Sequence, residues 1–302
     1  MRKRQLGQSD LYVSEIGLGC MSLGTEEKHA LSLIDKAIDL GINYFDTADL
    51  YDVGKNEELV GKAIKHRRND IILATKVGNR WREDQSGWDW DPSKAYIKEA
   101  VKKSLQRLQT DFIDLYQLHG GTIEDNIDET IEAFEELKQE GIIRYYGISS
   151  IRPNVIKEYL DKSSIVSIMM QYSLLDRRPE EWFSIIKDKG VSVIARGPLA
   201  KGLLTDKPLN QKLKGKGYLS YTNEELKAFL IKLENIDPSH SMTELALQYC
   251  LYQDVIGAVI PGASKIQQLI ENVEAGSSER LSAQMYDKLQ QIAKPGQYEQ
   301  HR

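Results

Sequence analysis

The chain has 302 residues, of which 41% are hydrophobic and 28% charged, with a formal net charge of −5. This mildly acidic, mixed charge argues against a nucleic-acid or polyanion binder. The basic segments RKR at residue 2 and KLKGKG at residue 212 are interpreted as solvated surface. Two cysteines without a CxxC pair argue against a disulfide framework or a zinc site. Because the N-terminus has no apolar signal segment and no apolar run approaches membrane length, we expect a cytoplasmic protein without a membrane partner.

Short apolar runs alternate with amphipathic segments along the chain. The runs are EIGLGC, INYF, DIILATK, FIDLYQLH, IIRYYGISS, SIVSIMMQ, VSVIARG and VIGAVIPG. Helical patterns follow them, such as HALSLIDKAIDLG, where apolar residues recur with a period of 3.6 and Gly41 marks the helix end. The pattern DPSKAYIKEAVKKSLQRL predicts a helix with Pro92 in its first turn and Ser93 as a start signal. Strand–helix alternation with buried strands predicts parallel pairing.

Eight such units in a chain of this length predict an α/β fold, a closed (β/α)8 TIM barrel, rather than an open sheet. The segment MRKRQLGQSDLYVS precedes the first unit and predicts a β-hairpin, with GQSD as its turn, that caps the barrel floor. No composition break marks a second domain. We therefore expect one barrel domain over residues 1–302, with the hairpin at 1–13 and a C-terminal extension at 277–302.

Polar side chains follow the carboxyl ends of nearly all the predicted strands, and these ends form the functional face of such a barrel. The second strand ends on Asp46 with Tyr51 just beyond, the third on Lys76 and the fourth on His119. An unperturbed tyrosine titrates near ~10, and a neighbouring ammonium lowers that pKa toward the working range. Lys76 can supply the ammonium, Asp46 can hold Lys76 by an ion pair, and His119 can orient a substrate oxygen. The set predicts proton delivery to a carbonyl oxygen, with hydride from a bound donor.

The order and spacing of eight motifs resemble the aldo-keto reductase superfamily over essentially the whole chain. The motifs are GLGC at residue 17, NYFDTADLY at 43, LATK at 73, DLYQLH at 114, YYGIS at 145, YSLLDR at 172, GPLAKGLL at 197 and IPGAS…IEN at 260. The resemblance implies a catalytic tetrad of Asp46, Tyr51, Lys76 and His119, with Tyr51 as the general acid. The strand ends had already selected the same four residues.

The resemblance also implies a nicotinamide cofactor that lies extended across the barrel mouth. The positions that match the family's cofactor residues are Gly19, Cys20, Met21, Asp46, Ser149, Gln171, Arg196, Gly197, Pro198, Leu199, Lys201, Gly202, Gly262, Ser264, Lys265, Gln268, Glu271 and Asn272. The last of these open a helix, whose free N–H groups suit a phosphate. Lys265 near that N-terminus can meet an adenosine 2′-phosphate, so NADP(H) is favoured over NAD(H).

Three positions depart from the family's usual pattern. Ser150 stands where an asparagine often follows the strand-five serine, and Met169 occupies the usual glutamine position of strand six. Gln171 should face the same side of that strand and can substitute for it. Arg196 stands where many members stack an aromatic ring on the nicotinamide, and a guanidinium plane can stack there instead.

Some of these residues also have a simpler structural interpretation. Cys20 on its own merits is a small buried filler, and Arg196 can pair with an acid across the mouth. Trp81, Trp88 and Trp90 either wall a substrate pocket or form a small core within their own loop. The segment GLGCMSLG lacks the third glycine and the following helix of a dinucleotide-binding fingerprint, so it is not interpreted as one.

The predicted function is an NADP-dependent reductase of small aldehydes or ketones, with no obligatory protein partner. The alternative is a cofactor-binding regulatory barrel that senses redox state with little turnover, like potassium-channel β subunits. The intact tetrad and the absence of a long N-terminal extension argue against that alternative. A hydrolase with a metal on Asp46, Asp49 and His119 would bring Lys76 against the cation, so no metal site is predicted. Substrate and oligomeric state stay open, because specificity resides in the loops at residues 81–91, 120–126 and 201–222.

Overall fold

The computed structural model describes residues 1–213 and 217–302, and its central feature is a barrel of parallel strands. These strands are β3 (Leu18–Gly19), β4 (Tyr44–Asp46), β5 (Ile72–Val77), β8 (Ile113–Leu118), β9 (Ile143–Ser149), β10 (Ser167–Gln171), β11 (Ser192–Arg196) and β12 (Ile256–Ile260). They pair in that order. Bridges from Ile16 to Val259 and from Gly19 to Gly262 join the first strand region to the last. The predicted (β/α)8 barrel is confirmed.

Helices alternate with the strands, as the amphipathic patterns predict. In the described residues they are α1 (Glu27–Asp39), α2 (Lys55–Ile64), α3 (Lys94–Leu108), α4 (Ile127–Gln139), α5 (Pro153–Lys162), α6 (Phe183–Asp188), α7 (Leu209–Lys212), α8 (Asn223–Glu234), α9 (Met242–Tyr252), α10 (Ile266–Ser277) and α11 (Ala283–Ile292). Two were not predicted, namely α7 and α11. None of the helices in the described ranges has the length and apolar character needed to span a bilayer.

Capping groups fix where these helices begin and end. The Ser93 side chain accepts from the Tyr96 N–H at 3.3 Å, so α3 begins at Lys94. The prediction that Pro92 lies in the first turn is therefore wrong, because the proline precedes the capping residue. Gly41, at φ 86°, follows α1 and donates its N–H to the Ile38 carbonyl, as expected for a helix-ending glycine.

An N-terminal hairpin closes the amino-terminal end of the barrel. Its strands are β1 (Lys3–Gln5) and β2 (Tyr12–Ser14), which pair antiparallel. Leu6, Leu11 and Val13 are buried in a cluster with the side chains that fill the barrel interior. Because the Gly7 N–H also donates to the Ser192 hydroxyl at the start of β11, the hairpin lies under the floor, as predicted.

The basic segment at residue 2 is solvated surface at Arg2 and Lys3, as predicted, but not at Arg4, which is half-buried. Arg4 donates to Glu15 at 2.7 Å and to three backbone carbonyls between residues 251 and 256. Burial opposes ionisation of Glu15, but Arg4 and Arg2 outweigh it and hold the pKa of that carboxyl below its usual value. The second basic segment runs from residue 212 into residues 214–216, which lie outside the described residues.

The packing of the hairpin predicts that substitutions at the neighbouring residues Leu11 and Tyr12 change the free energy of unfolding by very different amounts. Leu11→Ala should lower the free energy of unfolding by about 2–5 kcal/mol, because Leu11 is 1% exposed and its removal leaves a cavity. Tyr12→Ala should change it by no more than about 0.5 kcal/mol, because Tyr12 is 55% exposed. Equilibrium denaturation of both variants checks this. Equal losses would show that the hairpin does not plug the barrel.

Candidate active site

The four polar residues selected from the strand ends lie together at the carboxyl end of the barrel. Asp46 ends β4, Lys76 is the fifth residue of β5, and His119 directly follows β8. Tyr51 begins a short 3-10 turn, Tyr51–Gly54, that follows β4. Parallel pairing brings the ends of neighbouring strands to the same edge, and this is why residues 25 to 73 positions apart in the chain meet here.

An ion pair between Lys76 and Asp46 forms the centre of this group. Lys76 Nζ lies 2.5 Å from Asp46 Oδ2, and the two side chains are 0% and 6% exposed. The same ammonium donates to the Thr47 carbonyl at 2.7 Å and to the Tyr51 hydroxyl at 3.4 Å. Burial disfavours its charge, but Asp46 and Tyr51 outweigh burial and raise the pKa of Lys76 above its usual value. The charged form of Lys76 is therefore favoured beside the Tyr51 hydroxyl.

His119 lies beside Tyr51 as a neutral group. The two rings meet edge-on, with centroids 5.9 Å apart and planes at 84°. Burial, together with the charges of Lys76 and Arg196, lowers the pKa of His119 to about 3. A neutral imidazole donates from only one of its nitrogens. At neutral pH His119 can therefore give a hydrogen bond to a ligand oxygen but has no proton to transfer as an imidazolium.

The turn that carries Tyr51 has an uncommon backbone. Asp52, Val53 and Gly54 have φ values of 50°, 55° and 84°, all in the left-handed region. A β-branched residue such as Val53 is a genuine outlier there, and each such residue costs of order 1–3 kcal/mol. The Trp81 indole N–H donates to the Leu50 carbonyl at 3.2 Å, so a neighbouring loop holds the turn in place.

A cavity of about 1500 Å³ opens above this group, with Asp46, Tyr51 and His119 in its wall. Most of the positions matched to cofactor residues line it: Gly19, Met21, Ser149, Gln171, Arg196, Gly197, Pro198, Leu199, Lys201, Gly202, Gly262, Ser264, Lys265, Gln268, Glu271 and Asn272. Thr205, Asp206, Lys207 and Tyr218 also line the cavity and belong to the loop at residues 201–222 that was expected to carry specificity. Ser22, Thr243 and Glu244 line it as well and were not predicted. The fold thus gathers segments from the whole chain around one cavity.

Cys20 is the exception among these positions. Its side chain is 0% exposed and packs in the core between the barrel and the helices. Burial raises the pKa of its thiol, which keeps the group neutral. The cavity wall contains Gly19, Met21 and Ser22 instead. The assignment of the Cys20 side chain to a cofactor contact is therefore corrected, and the simpler interpretation as a buried filler fits the structure.

One end of the cavity meets the N-terminus of α10, which follows β12 as expected from the sequence. Lys265 is the residue before its first turn, and no side chain caps the helix there. The Ser264 N–H and hydroxyl both donate to Gln268 Oε1, at 3.0 and 3.2 Å. The first N–H groups of a helix lack intrahelical acceptors and favour anions. This end of the cavity is suited to a phosphate.

The three departures from the family pattern have different outcomes. Ser150 is 6% exposed and its hydroxyl accepts from the Arg152 N–H, so it does not line the cavity. Met169 and Gln171 both face the cavity. Arg196 donates to Gln171 Oε1 at 3.1 Å. In the described part of the chain no ion pair is formed by Arg196, so its guanidinium is not neutralised across the mouth.

The loop after β5 carries three tryptophans and forms a second hairpin. In it, β6 (Asn79–Trp81) pairs antiparallel with β7 (Trp88–Trp90). The Trp90 indole N–H donates to Asp125 at 3.0 Å, and its ring covers Gly78 and Gly120. Trp88 is 47% exposed. None of the three tryptophans is part of the cavity wall. Trp81 and Trp90 thus contact neighbouring loops, and neither a pocket wall nor a core within their own loop describes their place in the structure.

One buried polar residue next to the ion pair was not singled out from the sequence. Gln117 of β8 is 0% exposed and donates to Asp46 Oδ1 at 3.2 Å. Its position two residues before His119, on the same side of a strand, was the available signal. That signal alone does not say which partner a glutamine will find.

Comparison with known proteins identifies the family. A model of the Aldo/keto reductase family matches residues 15–294. The chain belongs to this family. An uncharacterized oxidoreductase of Bacillus subtilis (strain 168), YqkF, is 66% identical over the full length of both chains. The solved structure of the aldo-keto reductase AKR11C1 from Bacillus halodurans (holo form) is 64% identical, with a TM-score of 0.97 over 100% of this chain and 99% of that one.

A more distant member of the aldo/keto reductase family is also informative. The NADH-specific methylglyoxal reductase of Escherichia coli (strain K12) is 31% identical, over 91% of this chain and 93% of its own length. The family is therefore shown by several independent similarities. Membership of this family means that the protein is an oxidoreductase that acts with a nicotinamide cofactor on small carbonyl compounds.

The buried ion pair of this aldo/keto reductase makes a prediction about stability. Lys76→Met should lower the free energy of unfolding by about 3–5 kcal/mol, because it leaves the Asp46 carboxylate buried without its counter-ion. The double variant Asp46→Leu with Lys76→Met buries neither charge and should lose less than the single variant. Urea denaturation of the parent, the single variants Lys76→Met and Asp46→Leu, and the double variant at pH 7 measures these differences. A double variant that loses the sum of the two single losses would contradict the pairing.

Proposed function

We propose that this protein is an NADP-dependent reductase of aldehydes or ketones in which Tyr51 is the general acid. The observation that carries the proposal is the buried Lys76–Asp46 pair, whose ammonium lies 3.4 Å from the Tyr51 hydroxyl in the wall of a large cavity. A lysine with 0% exposure needs a reason to be in the interior. Stabilising a phenolate during proton transfer is such a reason.

The cavity has the chemistry that a nicotinamide dinucleotide needs. The N-terminus of α10 offers free N–H groups for a phosphate, and Lys265 lies at the same end. Arg196 offers an unneutralised guanidinium plane near His119 and Asp46, suited to the nicotinamide ring. Gly197 and Gly202, with φ of 67° and 88°, let the backbone turn along the cavity wall without side chains in the way. When bound, the cofactor supplies the hydride for the carbonyl carbon.

The protein's own residues then handle the proton. Tyr51 donates its hydroxyl proton to the carbonyl oxygen as negative charge develops on it. Lys76 stabilises the phenolate that remains, and Asp46 keeps Lys76 charged and in place. His119, which is neutral, donates a hydrogen bond to the same oxygen and orients the substrate. Asp46, Lys76 and His119 each keep one protonation state, whereas Tyr51 alternates between the hydroxyl and the phenolate.

The cofactor preference rests on the phosphate end of the cavity. Family membership does not decide it, because the relative from Escherichia coli is described as NADH-specific. Lys265 is an exposed cation directly before the first turn of α10. A 2′-phosphate would meet both this charge and the helix N-terminus. This combination favours NADP(H) over NAD(H).

The first test is the substitution Tyr51→Phe, which removes only the hydroxyl. The parent should bind NADPH, seen as a change in NADPH fluorescence, and oxidise it in the presence of an aldehyde panel. Tyr51→Phe should bind NADPH as tightly but lose carbonyl reduction by at least about 100-fold, because the proton donor is gone. Joint loss of NADPH binding and activity would give Tyr51 a structural role. A parent that binds NADPH tightly without turnover would indicate a regulatory barrel instead.

A second test concerns the cofactor preference. Lys265→Ala should weaken NADPH binding by about 10-fold or more, the effect of one charge-assisted contact, and change NADH binding little. The control is Lys227→Ala, which removes an exposed lysine of α8 outside the cavity wall and should leave both affinities unchanged. Fluorescence titration measures all four affinities. Equal weakening for NADPH and NADH would remove Lys265 as the 2′-phosphate contact.

A further inference from the structure

Gln117 is a buried polar residue to which the tetrad gives no role. It lies on β8 directly opposite Lys76 of β5 in the parallel register. Side chains alternate along the strand, so Leu115 faces the barrel interior while Tyr116 and Leu118 pack outward against the helices. By the same alternation Gln117 faces inward. It is fully buried, at 0% exposure.

The two oxygens of the Asp46 carboxylate accept hydrogen bonds from different side chains, Gln117 and Lys76. Gln117 Nε2 donates to Asp46 Oδ1 at 3.2 Å, and Lys76 Nζ donates to Asp46 Oδ2 at 2.5 Å. A carboxylate with one donor on each oxygen cannot rotate without breaking one of the two hydrogen bonds. The neighbouring strands β5 and β8 therefore hold the end of β4 in one orientation.

The other end of the Gln117 amide shows that packing alone does not explain this residue. Gln117 Oε1 is buried, and no hydrogen-bond partner for it exists among the described residues. The reversed amide would turn that oxygen toward the carboxylate and lose the one bond that the side chain makes. A leucine would fill the site without leaving a buried acceptor unpaired. The glutamine is thus unfavourable for the core and favourable only for Asp46.

We propose that Gln117 is a positioning residue that fixes the Asp46 carboxylate so that Lys76 stays directed at the Tyr51 hydroxyl. This inference rests on the proposed function, because Gln117 acts through the proton donor. Burial raises the pKa of Asp46, whereas the contacts with Lys76 and Gln117 and the charge of Arg196 oppose that rise. Removing the Gln117 donor must therefore raise the pKa of Asp46 further. Activity that requires ionised Asp46 is then lost at a higher pH than in the parent.

The test is Gln117→Met, which is closest in shape, with Gln117→Leu as a second variant. With NADPH saturating, kcat for an aldehyde should fall by about 10-fold, the effect of one hydrogen bond to a charged group. The KM for the aldehyde should stay within about twofold, since Gln117 does not line the cavity. The acidic limb of the kcat–pH profile should move upward by about half a unit or more. In cofactor-free protein, the carboxyl carbon-13 signal of Asp46 should titrate at higher pH by the same amount.

A second buried glutamine provides the matched control. Gln248 of α9 is 0% exposed, and its Nε2 donates to the backbone carbonyls of Ala275 and Gly276 at 2.8 and 3.1 Å. Gln248→Leu should lower the melting temperature but leave the acidic limb and the Asp46 titration unchanged. The Gln117 variants should melt no lower than Gln248→Leu while losing far more kcat.

The outcomes separate this inference from the proposed function. An active parent whose Gln117 variants keep its kcat and acidic limb would overturn the inference alone. Loss of kcat in proportion to melting temperature in both Gln117 and Gln248 variants would do the same, since it would indicate a general structural effect. A parent without NADPH-dependent carbonyl reduction would overturn the proposed function, and the role of Gln117 in proton transfer with it.

Discussion

The buried ion pair between Lys76 and Asp46 is the interaction on which the rest of the site depends. Two charges in the interior are unfavourable unless each has good partners. Lys76 meets this condition with three acceptors, the Asp46 carboxylate, the Thr47 carbonyl and the Tyr51 hydroxyl. All three come from β4 or the turn just after it. The requirement that Lys76 be satisfied therefore also places the Tyr51 hydroxyl, so one constraint orders both the charged pair and the proposed acid.

The barrel makes this arrangement possible by separating an apolar interior from a polar mouth. Below the ion pair, the interior is filled by residues such as Tyr44, Leu115 and Ile194 and closed by the N-terminal hairpin. Above it, the cavity is lined by the strand ends and their loops. The pair lies between the two layers, and its side chains are almost fully buried. Its charges are therefore poorly screened, and their effect on neighbouring groups is large.

Much of this could be predicted from the sequence, because it depends on local patterns repeated many times. The eight strands follow from apolar runs at regular spacing, and the tetrad follows from which polar residues end them. Features that depend on a distant partner were missed or wrong. Arg4 seemed to be solvated surface, but three of its acceptors are backbone carbonyls about 250 residues away in the chain. Asp206 belongs to a loop whose place is set when it accepts from the Met242 N–H at the start of α9.

Other misses show that a pattern can be present without being decisive. The helix α11 has a capping serine, Ser282, and an apolar side with Tyr286 and Leu289, yet it lies in a polar segment after the last predicted unit. Cys20 was assigned from its neighbours in a motif, but the chain turns into a 3-10 helix at that residue and directs its side chain to the core. The sequence shows that Cys20 is next to Gly19 and Met21 in the chain. The direction of its side chain depends on where the strand ends, which the sequence does not show.

The electrostatics of the mouth decide which residue is suited to give the proton. Four groups there carry exchangeable protons, and Asp46 is committed to its ion pair. His119 is too hard to protonate, because burial and two nearby cations lower its pKa to about 3. Lys76 holds its proton too firmly, because Asp46 and Tyr51 raise its pKa. Tyr51 is the remaining group, and it alone leaves an anion beside a fixed ammonium when it gives its proton away. The charge of Lys76, which helps to keep His119 neutral, thus also supports Tyr51 as the acid.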